Sequence, residues 1–218
     1  MDVLYSVIGF FASGGAFMYP ILLVFAVGSA IAIERFITLS AITQKNDAAW
    51  KSLQPLLNQG DFEEAREIAA KEDSIMARIL NLGLALQGAV RRREDIEIAM
   101  EEGMTEVIPQ LEKRTPYVAL ASNIATLLGL LGTIMGLIHA FTAVANANPA
   151  EKADLLSASI SVAMNTTAFG LMVGIPLLIV HTILTAKTNE IVDGLEMASV
   201  KALSVITNRA RRQLDLAA

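Results

Sequence analysis

The side chains best placed to do chemistry in this sequence are hydroxyls rather than acids. Two long runs, Thr115–Ala150 (36 residues) and Leu155–Ala186 (32 residues), contain no Asp, Glu, Lys or Arg. In the first run Gly129, Gly132 and Gly136 interleave with Thr126 and Thr133. At 100° per residue, Ser122, Thr126, Gly129, Gly136 and Ala140 all fall within about 60° of Thr133. One face is therefore small and mildly polar, and the rest is Leu, Ile, Met and Val. In the second run Ala163, Gly170 and Gly174 flank Thr167 on one face, while Ser157, Ser161 and Asn165 share another. Small residues on an apolar helix let a neighbouring backbone approach closely. The same residues suit a pore wall, or a groove that receives another helix.

Ionisable groups inside a membrane segment are functional suspects by default. These two runs offer only His139 and His181, and neither falls on the threonine face of its helix. Packing or an interfacial position is the expectation for both. The absence of any Asp or Glu says more: if the chain conducts protons, the titrating carboxylate comes from another polypeptide. The Ser157, Ser161 and Asn165 stripe would be costly against lipid, so it is expected to meet a neighbouring helix or subunit. Pro176 lies inside its run, where neighbouring groups can make up for the missing N–H.

The elements that position these groups are set by composition. The chain has 218 residues, 54% hydrophobic and 18% charged, against about 25% charged in an ordinary soluble domain. A third uncharged run, Val3–Ile33, joins the two above. Each exceeds the roughly 20 apolar residues that cross a bilayer as a helix. An all-α membrane protein with three transmembrane helices follows. The expected order is an interfacial helix over 1–15, a first span at 16–39, a helical block at 40–114, a second span at 115–145, a turn at 146–154, a third span at 155–186 and a helical tail at 187–218. The second and third runs are longer than a bilayer needs, so those two helices are expected to extend beyond it at their inner ends. With no basic residues ahead of the first run, it is expected to be retained as an anchor rather than cleaved.

The block at 40–114 holds ten Lys/Arg and the tail five, whereas the turn at 146–154 holds only Lys152. Basic residues stay on the cytoplasmic side, so the N-terminus and that turn are expected outside, and the block and tail inside. Within the block, Asp61-Phe62-Glu63-Glu64 after Gly60 reads as a helix start, and Ile75, Ile79, Leu82 and Leu86 keep helical spacing. Arg91, Arg92 and Arg93 could touch anionic headgroups. A net charge of −5 argues against a nucleic-acid partner. With no cysteine and two distant histidines, neither a metal site nor a cofactor is expected, and the lack of a nucleophile–base pair argues against an enzyme.

The run Gly129-Leu130-Leu131-Gly132-Thr133-Ile134-Met135-Gly136-Leu137-Ile138, with Phe141, resembles the second-span signature of the MotA/TolQ/ExbB proton channel family. Asn165-Thr166-Thr167-Ala168-Phe169-Gly170-Leu171, ending at Ile175-Pro176, resembles its third-span signature, and Gly60–Ala65 is similar to a segment of its cytoplasmic domain. Three spans favour the ExbB/TolQ branch. The resemblance implies a homopentamer in a bacterial inner membrane whose second and third helices line a pore. Thr133 and Thr167 would be the pore threonines, with Thr126, Ser122 and Ala163 along the ion path. It also implies an ExbD/TolR-like single-span partner bringing an aspartate into the pore, and a TonB/TolA-like energy transducer. Proton motive force would then drive envelope transport, envelope maintenance or surface motility. The chain departs from the family at Val162, where ExbB and TolQ carry a glutamate, leaving Thr166, Ser161 or water as the polar groups there. A non-conducting scaffold that clamps a partner helix is the competing reading.

Overall fold

The computed structural model describes residues 10–11, 14–87 and 92–217, with backbone alone at 146 and from 209 onward. Most of the expected interfacial helix, and Arg91, lie outside the described residues. Among those described, all regular structure is helical: α1 Met18–Gln59, α2 Phe62–Lys71, α3 Ile75–Leu86, α4 Arg93–Glu112, α5 Thr115–Asn146 and α6 Lys152–Ala217. Three segments are long and apolar enough to cross a membrane, starting in α1, ending in α5 and within α6.

The helix lengths depart from the expectation. The first apolar helix does not stop at residue 39 but runs 42 residues to Gln59, because residues 40–54 contain neither Gly nor Pro. It ends where Gly60 adopts φ 74°. There the Gly60 N–H donates to Leu57 O (3.0 Å) and the Asp61 N–H to Leu56 O (3.0 Å), a left-handed glycine stop that satisfies the last carbonyls. The second apolar helix, α5, has 32 residues, about 48 Å, and so is also longer than a bilayer needs. Arg114, at φ 68°, separates α5 from α4, and Pro116 sits in the first turn of α5, where its missing N–H costs nothing. The two longest helices are thus the first and third, the third running 66 residues through Pro176 without a break.

The chain divides into two compact units, residues 1–35 with 114–183, and 36–113 with 184–218. In the first, α1 buries a narrow stripe of Met18, Ile21, Gly28, Ala32 and Arg35, while Leu23, Val27 and Ile33 are 52–66% exposed. A methyl group added at Gly28 would lie 3.0 Å from Ala121 and 3.1 Å from Leu177. α1 therefore lies along one side of the α5–α6 pair. Glu34 and Arg114 form an ion pair at 3.6 Å, both about half exposed, which contributes little by itself.

The second unit is a helical bundle around Leu53, Leu57, Ile79, Leu80, Met100, Leu111, Leu184 and Leu195, all nearly inaccessible. The stripe of α3 is rotated from the expected one: Met76, Ala77, Leu80, Gly83 and Leu84 are buried with Ile79, while Leu82 is 39% exposed. Small Gly83 admits α4 closely enough that a methyl there would lie 2.6 Å from Met100 Sδ. Ser74 Oγ caps α3 through Ala77 N (3.1 Å). Asn46, only 5% exposed on α1, takes the adjacent Met76 N–H on Oδ1 (3.1 Å). Lys187 Nζ donates to Ser40 Oγ (2.7 Å) and sits 4.8 Å over the Phe36 ring. The Arg93 guanidinium lies 3.8 Å from Glu97, and Arg92 is exposed.

A buried side-chain acceptor at a helix N-terminus supports about 0.5–2 kcal/mol. Asn46→Ala is expected to lose about that much, seen as an earlier thermal unfolding step by circular dichroism, whereas Asn46→Asp, which keeps the acceptor, loses less. Equal melting of Asn46→Ala and the parent would remove Asn46 from this role.

Candidate functional site

The α5–α6 pair is built on glycine. Contacts run in an antiparallel register from Ser122 opposite Gly174 to Gly136 opposite Ala163. A methyl at Gly129 would lie 3.1 Å from Gly170 Cα, and one at Gly170 would lie 2.7 Å from Ala125 O and 2.9 Å from Gly129 Cα. One at Gly136 would meet Ala163 Cβ at 2.8 Å. Methyls at Gly132 and Gly174 would run into Thr166 and Thr126 respectively. At Gly129 and Gly170 the obstacle is backbone, which cannot swing aside as a side chain can.

That approach brings hydroxyls within reach of carbonyls on the other helix. Ser122 Oγ donates to Gly174 O at 2.6 Å, and Thr167 Oγ1 donates to Gly129 O at 2.8 Å. Thr126 Oγ1 donates to Ser122 O within its own helix (3.0 Å), and Thr133 Oγ1 to Leu130 O (2.6 Å). Cross-helix bonds of this kind are worth about 0.6 kcal/mol on average in a membrane. The tight backbone contact and the two bonds reinforce each other.

The pair has two unlike edges. At 100° per residue, Thr126 and Thr133 lie about 60° and 40° to one side of Gly129. Because the helices are antiparallel, Thr167 borders the contact on that same side. The opposite edge carries α1, through Gly28, and the 14–17 turn. There Thr166, 2% exposed, donates to Gly14 O (2.6 Å) and Val162 O (3.0 Å), and Val162 lies 3.1 Å from the position of a methyl on Gly15. Phe10 and Phe11 stack edge-to-face on Phe169, with centroids at 6.2 and 4.9 Å. A recess of about 280 Å³ on this α1 edge is lined by His139, Met135, Ser159 and Val162, among others.

The sequence-derived candidates therefore separate. Thr133, Thr167 and Thr126 share one accessible edge. Ser122 and Ala163, grouped with them on the helical wheel, are 4% and 2% exposed and belong to the helix contact, because the opposing glycines let the other backbone cover them. Gly129, Gly132, Gly136, Gly170 and Gly174 all lie in the contact between the two helices. Ser157 and Ser161 are exposed and Asn165 half-buried, so packing within the chain leaves the two serines uncovered. Pro176 is also exposed. Thr166 and Val162 face α1, away from the threonine edge. The bond from Thr166 to Gly14 joins positions 152 residues apart, and local spacing gives no sign of it. No cluster of metal-ligating side chains exists among the described residues.

These features define an all-α, multi-pass membrane protein with a glycine-packed helix pair and one hydroxyl-bearing edge. The sequence profile of the MotA/TolQ/ExbB proton channel family matches residues 71–197, which take in both span signatures and the whole α5–α6 contact. The chain belongs to this family. It is 28% identical over 198 residues to a biopolymer transport ExbB homolog of Methanothermobacter thermautotrophicus, covering 88% of this chain and 67% of that one. It is 29% identical over 189 residues to ExbB-like protein 1 of Synechocystis sp., covering 84% and 72%. The Tol-Pal system protein TolQ of Haemophilus influenzae is 33% identical over 93 residues, 43% of this chain and 40% of its own.

The glycine contact makes a paired prediction. Gly170→Ala is expected to cost about 1–3 kcal/mol by forcing the backbones apart, read as a lower melting temperature in detergent or nanodiscs. Gly194→Ala, where nothing lies within 4 Å of the added methyl, is expected to be neutral or slightly stabilising. Equal effects of the two would mean that close approach at Gly170 carries no energy.

Proposed function

We propose that this chain is the channel-forming subunit of a proton-driven energy transducer, working with an ExbD/TolR-like single-span partner that supplies an intramembrane aspartate. The observation that supports it most directly is the edge bearing Thr126, Thr133 and Thr167. It is polar, accessible and turned away from α1, on a helix pair whose uncharged runs hold no carboxylate. A water path needs such polar lining, and a proton path with no acid of its own needs one from outside. In this reading copies of the chain assemble as a homopentamer with the threonine edges inward, and the exposed Ser157 and Ser161 meet a neighbouring subunit. The protein sits in the inner membrane with its basic block and tail in the cytoplasm, and passes force toward a TonB/TolA-like transducer. Its task is ion-coupled work rather than catalysis.

The alternative, a non-conducting scaffold, is favoured by the glycine contact alone, since packing accounts for every glycine in the pair. The Thr133→Val, Thr167→Val double variant separates the two. Co-reconstituted with its partner in liposomes, it is expected to keep its assembly state and lose proton flux by about tenfold or more, while the Thr→Ser pair retains flux. Unchanged flux in the valine variant would leave the scaffold reading.

A further inference from the structure

In the second unit α4 and α6 enclose a recess of about 240 Å³, walled by Glu97, Glu101, Glu196 and Ser199. Its floor is apolar, with Met100 and Leu203 only 2% and 4% exposed, and Val200 at its rim is 65% exposed. Ser199 is itself 6% exposed, yet its hydroxyl does not bond back to the preceding turn as Thr188 and Thr207 of the same helix do. It donates instead to Met104 Sδ at 3.9 Å, a weak acceptor. Its oxygen lone pairs stay open. Arg93 reaches Glu97 at 3.8 Å, whereas Glu101 and Glu196 have no cation within 4 Å among the described residues. Lys201, about 160° from Ser199 around α6, lies over the Trp50 ring instead (5.8 Å). α4 carries seven acids against one cation, Arg93, which keeps the field over the recess negative. The recess offers acceptors in its wall and hydrocarbon beneath them.

That combination suits a long basic side chain, whose stem covers apolar surface while its head stays at the polar rim. Among the described residues no three acids stand close enough to hold a metal ion. On the reading that a single-span partner accompanies this chain and that the second unit lies in the cytoplasm, we infer that the recess docks the Lys/Arg-rich cytoplasmic flank of that partner. Basic residues gather at the cytoplasmic end of a span, so such a flank lies on the same side of the bilayer as the recess and carries the opposite charge. Guanidinium–carboxylate pairs are the strong ones, and methionine in the wall adapts to whatever stem enters. Exposed pairs are weak one at a time, but the partner's own span tethers the flank and raises its local concentration. The chain's own arginines at 209, 211 and 212 fit less well. They lie about 9–14 Å beyond Leu203 along α6, and a neighbouring copy in the same membrane has the same offset. Docking here leaves the hydroxyl edge free of the task of holding the partner.

The test uses the full chain in phosphatidylcholine nanodiscs, where no anionic lipid competes, and a labelled peptide of Arg and Ala. A peptide of Gln and Ala is the uncharged counterpart. Fluorescence anisotropy is expected to show the Arg peptide binding about tenfold more tightly than the Gln peptide, an advantage that shrinks as salt rises. Glu101→Gln with Glu196→Gln is expected to remove most of that advantage, and Ser199→Ala to lower it about threefold. Asp95→Asn with Glu102→Gln removes the same charge on the far side of α4, about 160° and 140° from Glu97. That pair is expected to change binding by less than about twofold. Equal losses from the two double variants would reduce the effect to a general negative field and overturn the site. Unchanged peptide binding in Glu101→Gln, Glu196→Gln, with a smaller assembly by native mass spectrometry, would give the recess to a second copy and overturn it too. No advantage of Arg over Gln would overturn the docking while leaving the hydroxyl-edge reading, which the flux of the valine variant tests separately.

Discussion

The structure of the membrane unit depends on how closely two backbones approach at Gly129 and Gly170. Methyls at those positions would sit 3.1 and 2.9 Å from the opposing Cα. In a bilayer there is no hydrophobic force between apolar helices, since lipid solvates them equally well, so association rests on close packing and cross-helix hydrogen bonds. The glycines supply the first and make the second possible. Ser122 reaches Gly174 O and Thr167 reaches Gly129 O only because no side chain intervenes.

From that contact the division of roles follows. Residues at its centre, such as Ser122 and Ala163, are covered and serve assembly. Residues at one edge, Thr126, Thr133 and Thr167, keep a polar surface that nothing in the described chain covers. The other edge is taken by α1 and the 14–17 turn, pinned by Thr166 to Gly14 O. Val162 belongs to that pinned edge. The side away from α1 is therefore the one on which the hydroxyl-bearing edge stays accessible.

The second unit is organised by different physics. Its helices are amphipathic and capped, with Ser74 and Asn46 closing the start of α3 and Gly60 closing the end of α1. Burial of Leu, Ile and Met drives it, and the polar contacts fix direction and register. Leu82 shows the tolerance of such a bundle. It keeps helical spacing with Ile75 and Ile79 and is 39% exposed, yet its side chain lies over Gly103 of α4, 2.6 Å from where a methyl there would sit.

Composition and spacing alone determined the three apolar spans, the glycine faces and the lack of an intramembrane acid, because each is written in consecutive residues at a helical period. The helix start at Asp61 was equally legible, since an N-cap aspartate acts within one turn. What only the tertiary structure decided was which residues of a face are covered. A helical wheel cannot separate Ser122 from Thr133, because burial depends on where the other helix sits. Nor does Asn46, in the polar run Gln44-Lys45-Asn46-Asp47, announce that it is buried, since its partner is a helix end 30 residues away. The bond from Thr167 to Gly129 O likewise exists only once α5 and α6 are in contact.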